Sequence, residues 1–285
     1  MLVTFSRLNH HGRLGNQLFQ IAATIGTARK NDVPFLFPQW EYSSWMAVPL
    51  PQTSDQIPTE CVYEEPAFCY VPIRIQAATD LLGYFQSEKY FAHSCEEIRY
   101  YLTPEKRLTE KVDALQEKYF HGIPSEKICS ITVRRGDYVG LSCFFDLSKT
   151  EYYLDAMKLF GEEYFFLVFS DDIPWCREFF SRPEFLRFRF IFVEQTFPIA
   201  DLFLLSRCNN HILANSTFCW WGAWLNPSPE KRVVAPQAWF DGEYTNRDQP
   251  FRLHQGFHDT RDLIPEAWKT IPAIIHPKSN PRGIL

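Results

Sequence analysis

The chain has 285 residues, more than one ordinary domain and fewer than three. Hydrophobic residues make up 46% of it and the net charge is −5, so a packed core is expected and a basic nucleic-acid-binding surface is not. The eight cysteines form no C-x-x-C pair, which favours buried free thiols in a reducing compartment over disulfides or a zinc site. We expect a cytoplasmic protein, because neither a signal-peptide pattern nor a membrane-spanning apolar run occurs; peripheral association with the inner face of a membrane stays open.

The first third of the chain predicts a β-α-β opening followed by an irregular insertion. Strands at Leu2–Ser6 and Val33–Phe37 flank a helix that runs to about Lys30, which is the start of a parallel sheet. Residues 38–78 carry many prolines and no steady period, so we interpret them as a long irregular insertion around the first domain. One further strand and two helices are predicted: Leu81–Phe85, His93–Tyr101 and Pro104–Phe120.

From Lys127 onward, short apolar runs alternate with amphipathic helical stretches, as is typical of a doubly wound α/β domain. The predicted strands are Ile128–Val133, Tyr164–Phe169, Phe188–Val193, His211–Ala214 and Arg232–Ala235. The predicted helices are Lys149–Phe160, Ile173–Phe180, Pro198–Cys208 and Thr217–Leu225. The sequence therefore predicts two α/β domains at 1–122 and 123–240, with a C-terminal extension and tail at 241–285.

Polar side chains follow four of these strands at the point where each strand ends. Ligands of open parallel sheets bind beyond the carboxyl ends of the strands. The planar guanidinium group of arginine can bind two phosphate oxygens at once. Hydroxyl and N–H groups at the start of a helix form a second anion-binding site, and carboxylates can accept hydrogen bonds from a nucleotide base or a ribose. The sequence therefore predicts a nucleoside diphosphate site. The four groups are Arg134-Arg135-Gly136-Asp137, Ser170-Asp171-Asp172, Glu194-Gln195-Thr196 and Asn215-Ser216-Thr217.

Each group also has a purely structural alternative. The arginine pair could simply bind Asp137, and the Ser-Asp-Asp and Asn-Ser-Thr groups could simply cap the helices that follow them. Trp220, Trp221 and Trp224 are interpreted as packing residues, because their helical spacing faces the core. The sequence contains no Walker A motif, no G-x-G-x-x-G after a strand and no Asp-x-Asp, so a P-loop kinase, a dinucleotide oxidoreductase and a metal-held sugar nucleotide are unsupported.

Five sequence blocks occur together along the chain: Gly12–Gln20, Gly83–Phe91, Val133–Tyr138, Phe169–Cys176 and Asn215–Leu225. Together they resemble the bacterial α-1,2-fucosyltransferases of glycosyltransferase family 11. The resemblance implies a GT-B-like α/β fold, in which two Rossmann-type domains face a central cleft. It also implies inverting transfer of fucose from GDP-fucose to the 2-hydroxyl of a galactose-containing acceptor glycan. We expect no cofactor and no divalent metal, because no Asp-x-Asp occurs. Another GDP-sugar transferase, or a non-catalytic nucleotide-sugar-binding module, stays open.

The resemblance also implies roles for residues that face the donor diphosphate. Arg134 and Arg135 would bind the diphosphate, with Arg134 the stronger contact. Asp137 is the third residue of the predicted catalytic group and would orient the two arginines. Arg13 and Asn16 would approach the pyrophosphate and fucose from the opposite domain. The other residues implied in donor binding are Thr132, Ser170, Asp171, Asp172, Asn215, Ser216 and Thr217.

Three points stay open at this stage. The family usually carries a histidine at the position of Thr132, so that contact is lost, made by the threonine hydroxyl or supplied by His10 or His11. A general base is optional if the transition state is very dissociative, and its candidates are Asp137, Asp146, His10 and His11. Three aromatic residues could stack on the acceptor or anchor their loop: Trp40, Tyr42 and Trp45.

Overall fold

The computed structural model describes residues 1–52, 57, 59–136, 144–194, 196–240 and 259–273. Within these residues, two sheets form, and every strand pair in them is parallel. The first sheet has the order β2-β1-β4-β3, built from β1 (Val3–Thr4), β2 (Phe35–Leu36), β3 (Cys61–Glu64) and β4 (Thr79–Leu82). The second has the order β10-β9-β8-β5-β6-β7, built from β5 (Ile128–Val133), β6 (Phe165–Ser170), β7 (Arg189–Phe192), β8 (Asn210–Ile212), β9 (Arg232–Pro236) and β10 (Lys269–Ile271).

The helices lie between these strands in the chain, as the alternating pattern predicted. The first three are α1 (Leu14–Lys30), α2 (Cys95–Tyr101) and α3 (Lys106–Phe120). The next four are α4 (Tyr152–Lys158), α5 (Ile173–Phe180), α6 (Pro198–Ser206) and α7 (Thr217–Leu225). Strand β5 and helices α5 and α7 begin and end at the predicted residues, because a buried apolar run or a capping residue marks both of their ends.

Two short strands were missed by the sequence analysis. Strand β3 lies inside the segment 38–78, where only irregular structure was expected, and β10 lies inside 241–285. Both are edge strands whose side chains are mostly exposed, so neither has the alternation of apolar residues that indicates a half-buried strand. Of the predicted C-terminal extension and tail at 241–285, the structure describes residues 259–273.

Helices α1 and α7 join the two sheets. A Cβ added to Gly15 in the first turn of α1 would lie 2.5 Å from the backbone nitrogen of Phe218 in α7, so a side chain there would push the helices apart. Phe19 packs on Trp220 and Trp221, with ring centroids 4.5 and 5.2 Å away. Both tryptophans are fully buried, so their interpretation as packing residues is confirmed.

One hydrophobic core runs through both sheets, and elements from outside the second predicted domain pack on its sheet. Helix α3 packs against α6, and the Tyr119 hydroxyl exchanges 3.0 Å hydrogen bonds with the backbone N–H and C=O of Glu194. Strand β10 pairs with β9. The predicted domain boundaries at 122/123 and 240/241 stay a prediction. Helix α3 and strand β10, which lie outside the predicted second domain, both pack on elements of that domain.

The cysteines of the described residues are free thiols, and Cys129, Cys176, Cys208 and Cys219 are buried. Burial raises the pKa of the Cys176 and Cys219 thiols to about 11, so both stay protonated near neutral pH. Among the helices of the described residues, none combines the length and the apolar character needed to cross a bilayer.

Candidate functional site

A cleft of about 840 Å³ lies where loops from the carboxyl ends of strands in both sheets meet. This volume is within the usual range for small-molecule sites, about 300 to 1,000 Å³. The first sheet contributes residues from the loops after β1, β2 and β4, and the second contributes residues from the ends of β5, β6 and β8. Eight residues of the predicted site line the cleft: Arg13, Asn16, Thr132, Arg134, Ser170, Asp171, Ser216 and Thr217.

The start of α7 forms one wall of the cleft and contacts the start of α1. The Thr217 hydroxyl donates a hydrogen bond to Oδ1 of Asn16 at 2.9 Å, and the Gln86 amide donates to the same oxygen at 3.1 Å. Ser216 is the residue before α7, and its side chain makes no hydrogen bond to the helix. Because the first N–H groups of a helix have no partner within it, this corner presents hydroxyl and N–H donors to the cleft.

Asp171 holds the segment that follows β5. Its Oδ2 lies 2.6 Å from Nη1 of Arg134, and its Oδ1 accepts a 2.9 Å hydrogen bond from the backbone N–H of Arg135. A Cβ on Gly136 would lie 2.4 Å from Oδ2, so the backbone passes very close to this carboxylate. Asp171 therefore fixes the direction of Arg134, whose partly exposed guanidinium lines the cleft.

Arg135 and Asp172 are not among the residues that line the cleft. The Arg135 guanidinium lies 3.9 Å from the ring centroid of Trp175, and its Nε lies 3.3 Å from Oδ2 of Asp172. Oδ1 of Asp172 accepts a hydrogen bond from the backbone N–H of Trp175 and so caps α5. The two arginines thus pair with Asp171 and Asp172, and their predicted alternative partner Asp137 lies outside the described residues.

Two further predicted residues connect elements of the second sheet. Buried Asn215 donates from Nδ2 to the carbonyl oxygens of Phe145 and Trp239, at 3.0 and 2.8 Å, and does not line the cleft. The Thr132 hydroxyl accepts a 2.8 Å hydrogen bond from the backbone N–H of Ala214. Thr132 therefore joins β5 to the segment after β8 while its side chain borders the cleft.

Asp201, in the first turn of α6, lines the cleft and was missed by the sequence analysis. Its Oδ1 is buried and has no hydrogen-bond partner among the described residues. Burial raises the pKa of its carboxyl from 3.8 to about 6. An uncompensated buried acceptor is costly, so it indicates a ligand that donates hydrogen bonds. The available sequence signal was a lone acid within the otherwise apolar helix Pro198–Ser206.

None of the described candidates for a general base lines the cleft. His11 is buried against the Tyr84 ring at 4.6 Å, and burial, with the nearby charge of Arg7, lowers the pKa of its imidazole. Asp146 accepts hydrogen bonds from the backbone N–H and hydroxyl of Ser148. Neither of these residues, nor His10, is among those that line the cleft.

The aromatic residues of the segment after β2 have different surroundings. Trp40 is buried and its indole N–H donates to Oε1 of Gln17 at 2.8 Å, so it anchors the loop. Trp45 packs on Phe197, with centroids 5.2 Å apart. Tyr42 alone of the three predicted aromatic residues lines the cleft, and so is the one placed for contact with a ligand.

A family model described as glycosyl transferase family 11 matches residues 69–255, more than half of the chain. The chain belongs to glycosyl transferase family 11. It is 33% identical over 186 residues to an α-1,2-colitosyltransferase of Escherichia coli, a match that covers 62% of this chain and 61% of that enzyme. It is 26% identical over 287 residues to galactoside α-(1,2)-fucosyltransferase 2 of Oryctolagus cuniculus, which covers 93% of this chain and 76% of that protein.

This family 11 glycosyltransferase also shares its fold with a solved structure. The fucosyltransferase NodZ from Bradyrhizobium superposes with a TM-score of 0.52 at 14% identity, covering 81% of this chain and 94% of that one. The likeness, together with the two parallel sheets that border one cleft, confirms the predicted GT-B-like α/β architecture.

Proposed function

We propose that this family 11 glycosyltransferase transfers L-fucose from GDP-β-L-fucose to the 2-hydroxyl of a galactose, with inversion at the anomeric carbon of fucose. The observation that carries the proposal is the arrangement of Arg134 and the hydroxyl-lined start of α7 on one cleft. Both curated relatives are named for α-1,2 transfer, which supports the linkage. The proposed setting is surface-glycan synthesis in the cytoplasm or at the inner face of the membrane.

The proposed donor diphosphate lies between Arg134 and the start of α7. When the bond between fucose and the β-phosphate breaks, negative charge develops on the phosphate oxygens. Fixed positive groups aimed at that charge stabilise the transition state without having to reorganise. Arg134 supplies a guanidinium held in place by Asp171, and α7 supplies Ser216, Thr217 and the positive end of its dipole. These groups take the place of a divalent metal, so we expect transfer in the presence of EDTA.

The proposed guanine site includes Asp201. Guanine presents two neighbouring N–H donors on one edge, and a carboxylate is the acceptor that matches such a pair. The unpartnered Oδ1 of Asp201 lies in the wall of the cleft near Ser170, at the end of β6. Adenine lacks this pair of donors, so the site should favour guanosine over adenosine nucleotides.

A second candidate donor is GDP-colitose, favoured by the 33% identity to an α-1,2-colitosyltransferase. Colitose differs from fucose by the loss of the hydroxyl on C3. A site that hydrogen-bonds this hydroxyl rejects the deoxy sugar strongly, whereas an apolar site discriminates little. The sugar therefore has to be decided by direct competition between the two donors.

The deciding experiment incubates the purified enzyme with GDP-fucose or GDP-colitose and a panel of galactosides, followed by linkage analysis of each product. We expect an α-1,2-linked product with GDP-fucose. Product from GDP-colitose alone would establish the second candidate instead. A protein that binds GDP yet turns over neither donor with any galactoside would be the non-catalytic binding module that the sequence left open.

A further inference from the structure

Three carboxylates line the cleft among the described residues, and two of them already have roles. Asp171 is paired with Arg134, and Asp201 lies beside the end of β6, where the base is proposed to bind. The third, Glu41, belongs to the opposite wall, on the loop that follows β2. It makes no ion pair with any described residue, and nothing in the donor site described above uses it.

The side chain of Glu41 is held by a buried glutamine. Gln17, in the first turns of α1, donates from Nε2 to Oε1 of Glu41 at 2.6 Å and to the carbonyl of Gly12 at 3.3 Å. The Trp40 indole can only donate, and it donates to Oε1 of Gln17 at 2.8 Å. The indole therefore fixes which way the amide points, so that its NH₂ group faces the Glu41 carboxylate.

The backbone of Glu41 is anchored as well. Its N–H donates to Oδ1 of Asn9 at 3.0 Å, and Nδ2 of Asn9 donates to the carbonyl of Gln39 at 2.8 Å. Asn9 itself adopts φ +76°, a left-handed conformation that a residue holds only when its surroundings support it. An exposed glutamate normally samples many rotamers, whereas this one is fixed at both ends while it faces the cleft.

We propose that Glu41 binds the acceptor hydroxyl and accepts its proton during transfer. The proposal rests on the proposed fucosyl transfer and names a residue for its acceptor side. The acceptor oxygen forms a bond to the anomeric carbon of fucose, and its proton passes to the Glu41 carboxylate. The bond from that carbon to the β-phosphate oxygen breaks, and its electron pair leaves on the phosphate, which faces Arg134 and α7.

Inversion requires the nucleophile and the leaving group on opposite sides of the sugar carbon, and Glu41 follows β2 of the first sheet whereas Arg134 follows β5 of the second. Thr217 marks the leaving-group side, and its partner Asn16 is the neighbour of Gln17 in α1. The same turn of α1 therefore contacts the phosphate corner through Asn16 and the Glu41 carboxylate through Gln17. Fixed placement of reacting groups relative to one another is a large part of catalysis.

The test compares Glu41→Gln, Glu41→Asp and the wild type by kcat, by KM for the galactoside and by the Kd for GDP. Glutamine keeps the shape but cannot accept the proton, so we expect kcat to fall about 100- to 10,000-fold, as for loss of a general base, with GDP affinity unchanged. Aspartate keeps a carboxylate and should recover part of the loss. Glu110→Gln, on the exposed face of α3, makes the same chemical change away from the cleft and should behave as the wild type.

Three results would overturn the assignment. The first is a wild-type kcat in Glu41→Gln, and the second is a raised KM for the galactoside with kcat unchanged, which means binding without proton transfer. The third is a parallel loss of GDP affinity, which means that Glu41 only supports the fold. A wild-type protein that binds no GDP, or transfers no fucose to any galactoside, is a failure of the proposed function and is recognised before any variant is compared.

Discussion

The Thr217 hydroxyl and the Asn16 amide oxygen form a 2.9 Å hydrogen bond that ties the first turn of α7 to the first turn of α1. The two residues are 201 positions apart in the chain and belong to helices that follow strands of different sheets. Both residues line the cleft, so the same hydrogen bond connects the two sheets and positions the start of α7 at the proposed diphosphate. This double role leads to the first prediction.

Replacing Thr217 with valine, which has nearly the same shape, should lower the free energy of unfolding by about 1 kcal/mol, the net contribution of an ordinary hydrogen bond. It should also weaken GDP binding, because the start of α7 loses the hydrogen bond to Asn16 that positions it at the phosphate corner. Chemical denaturation and GDP titration measure the two effects. Thr217→Ser keeps the hydroxyl and should retain most of the GDP affinity. Strict additivity of Thr217→Val and Asn16→Ala in a double-mutant cycle would contradict the coupling between the two residues.

The close approach of α1 and α7 predicts that Gly15→Ala is poorly tolerated. The new methyl group would lie 2.5 Å from the nitrogen of Phe218 and 2.6 Å from the carbonyl carbon of Thr217, both backbone atoms that cannot rotate away. We expect a loss of about 1 to 3 kcal/mol in unfolding free energy, as for overpacking, together with weaker GDP binding. Gly122→Ala is the control for GDP binding: its φ of +72° strains alanine and should itself lower stability, but its methyl group meets no atom within 4 Å and should leave GDP affinity unchanged. An unchanged melting temperature for Gly15→Ala would argue against this helix contact.

The surroundings of the two neighbouring arginines predict different effects of their removal. Arg134 lines the cleft, so Arg134→Ala should lower kcat at saturating donor by about 100- to 1,000-fold, by analogy with deletion of an oxyanion donor. Arg135 stacks on Trp175 and pairs with Asp172, so Arg135→Ala should mainly lower the melting temperature. Steady-state kinetics and thermal unfolding of both variants provide the comparison. Equal losses of kcat would mean that Arg135 also reaches the substrate.

Asp201 predicts a pH dependence of stability. The pKa of its carboxyl in the folded protein, about 6, is above its ordinary 3.8, so the folded state binds this proton more tightly than the unfolded chain. The stabilisation from protonation is complete below about pH 3.8 and is lost as pH rises through about 6. Relative to Asp201→Asn, the unliganded wild type should therefore become less stable between these limits. Urea denaturation at several pH values checks this, and a difference that does not vary with pH would contradict the raised pKa.

The same residue predicts a pH dependence of binding. Only the ionised Asp201 carboxylate presents two acceptors to guanine, so GDP affinity should fall as pH drops below about 6. Ionisation of the GDP phosphate changes the affinity in the same pH range. Asp201→Asn retains the phosphate contacts, so the pH dependence of its GDP affinity can be subtracted from that of the wild type. We expect this variant to lose both the residual pH dependence and the preference for GDP over ADP. Retention of that preference would remove Asp201 from the base site.

The sequence by itself determined the elements and most of the groups that meet in the cleft. Buried strands such as Ile128–Val133 are mostly apolar, and helix starts such as Asp172 and Ser216 carry capping residue types, so local pattern sufficed. The topological rule for parallel sheets then brought the polar residues after successive strands to one edge. Edge strands β3 and β10 were not predicted, because their exposed side chains follow no apolar period.

Only the tertiary structure decided which of those polar groups face the cleft. Arg134 and Arg135 are chemically identical neighbours, yet one is directed into the cleft by Asp171 and the other onto Trp175. Glu41 and Asp201 belong to no sequence motif. Glu41 is singled out by its hydrogen bond to Gln17, and Asp201 by its buried carboxylate oxygen. Sequence pattern encodes local conformation and burial, whereas the direction of a side chain depends on contacts between segments that no local pattern records.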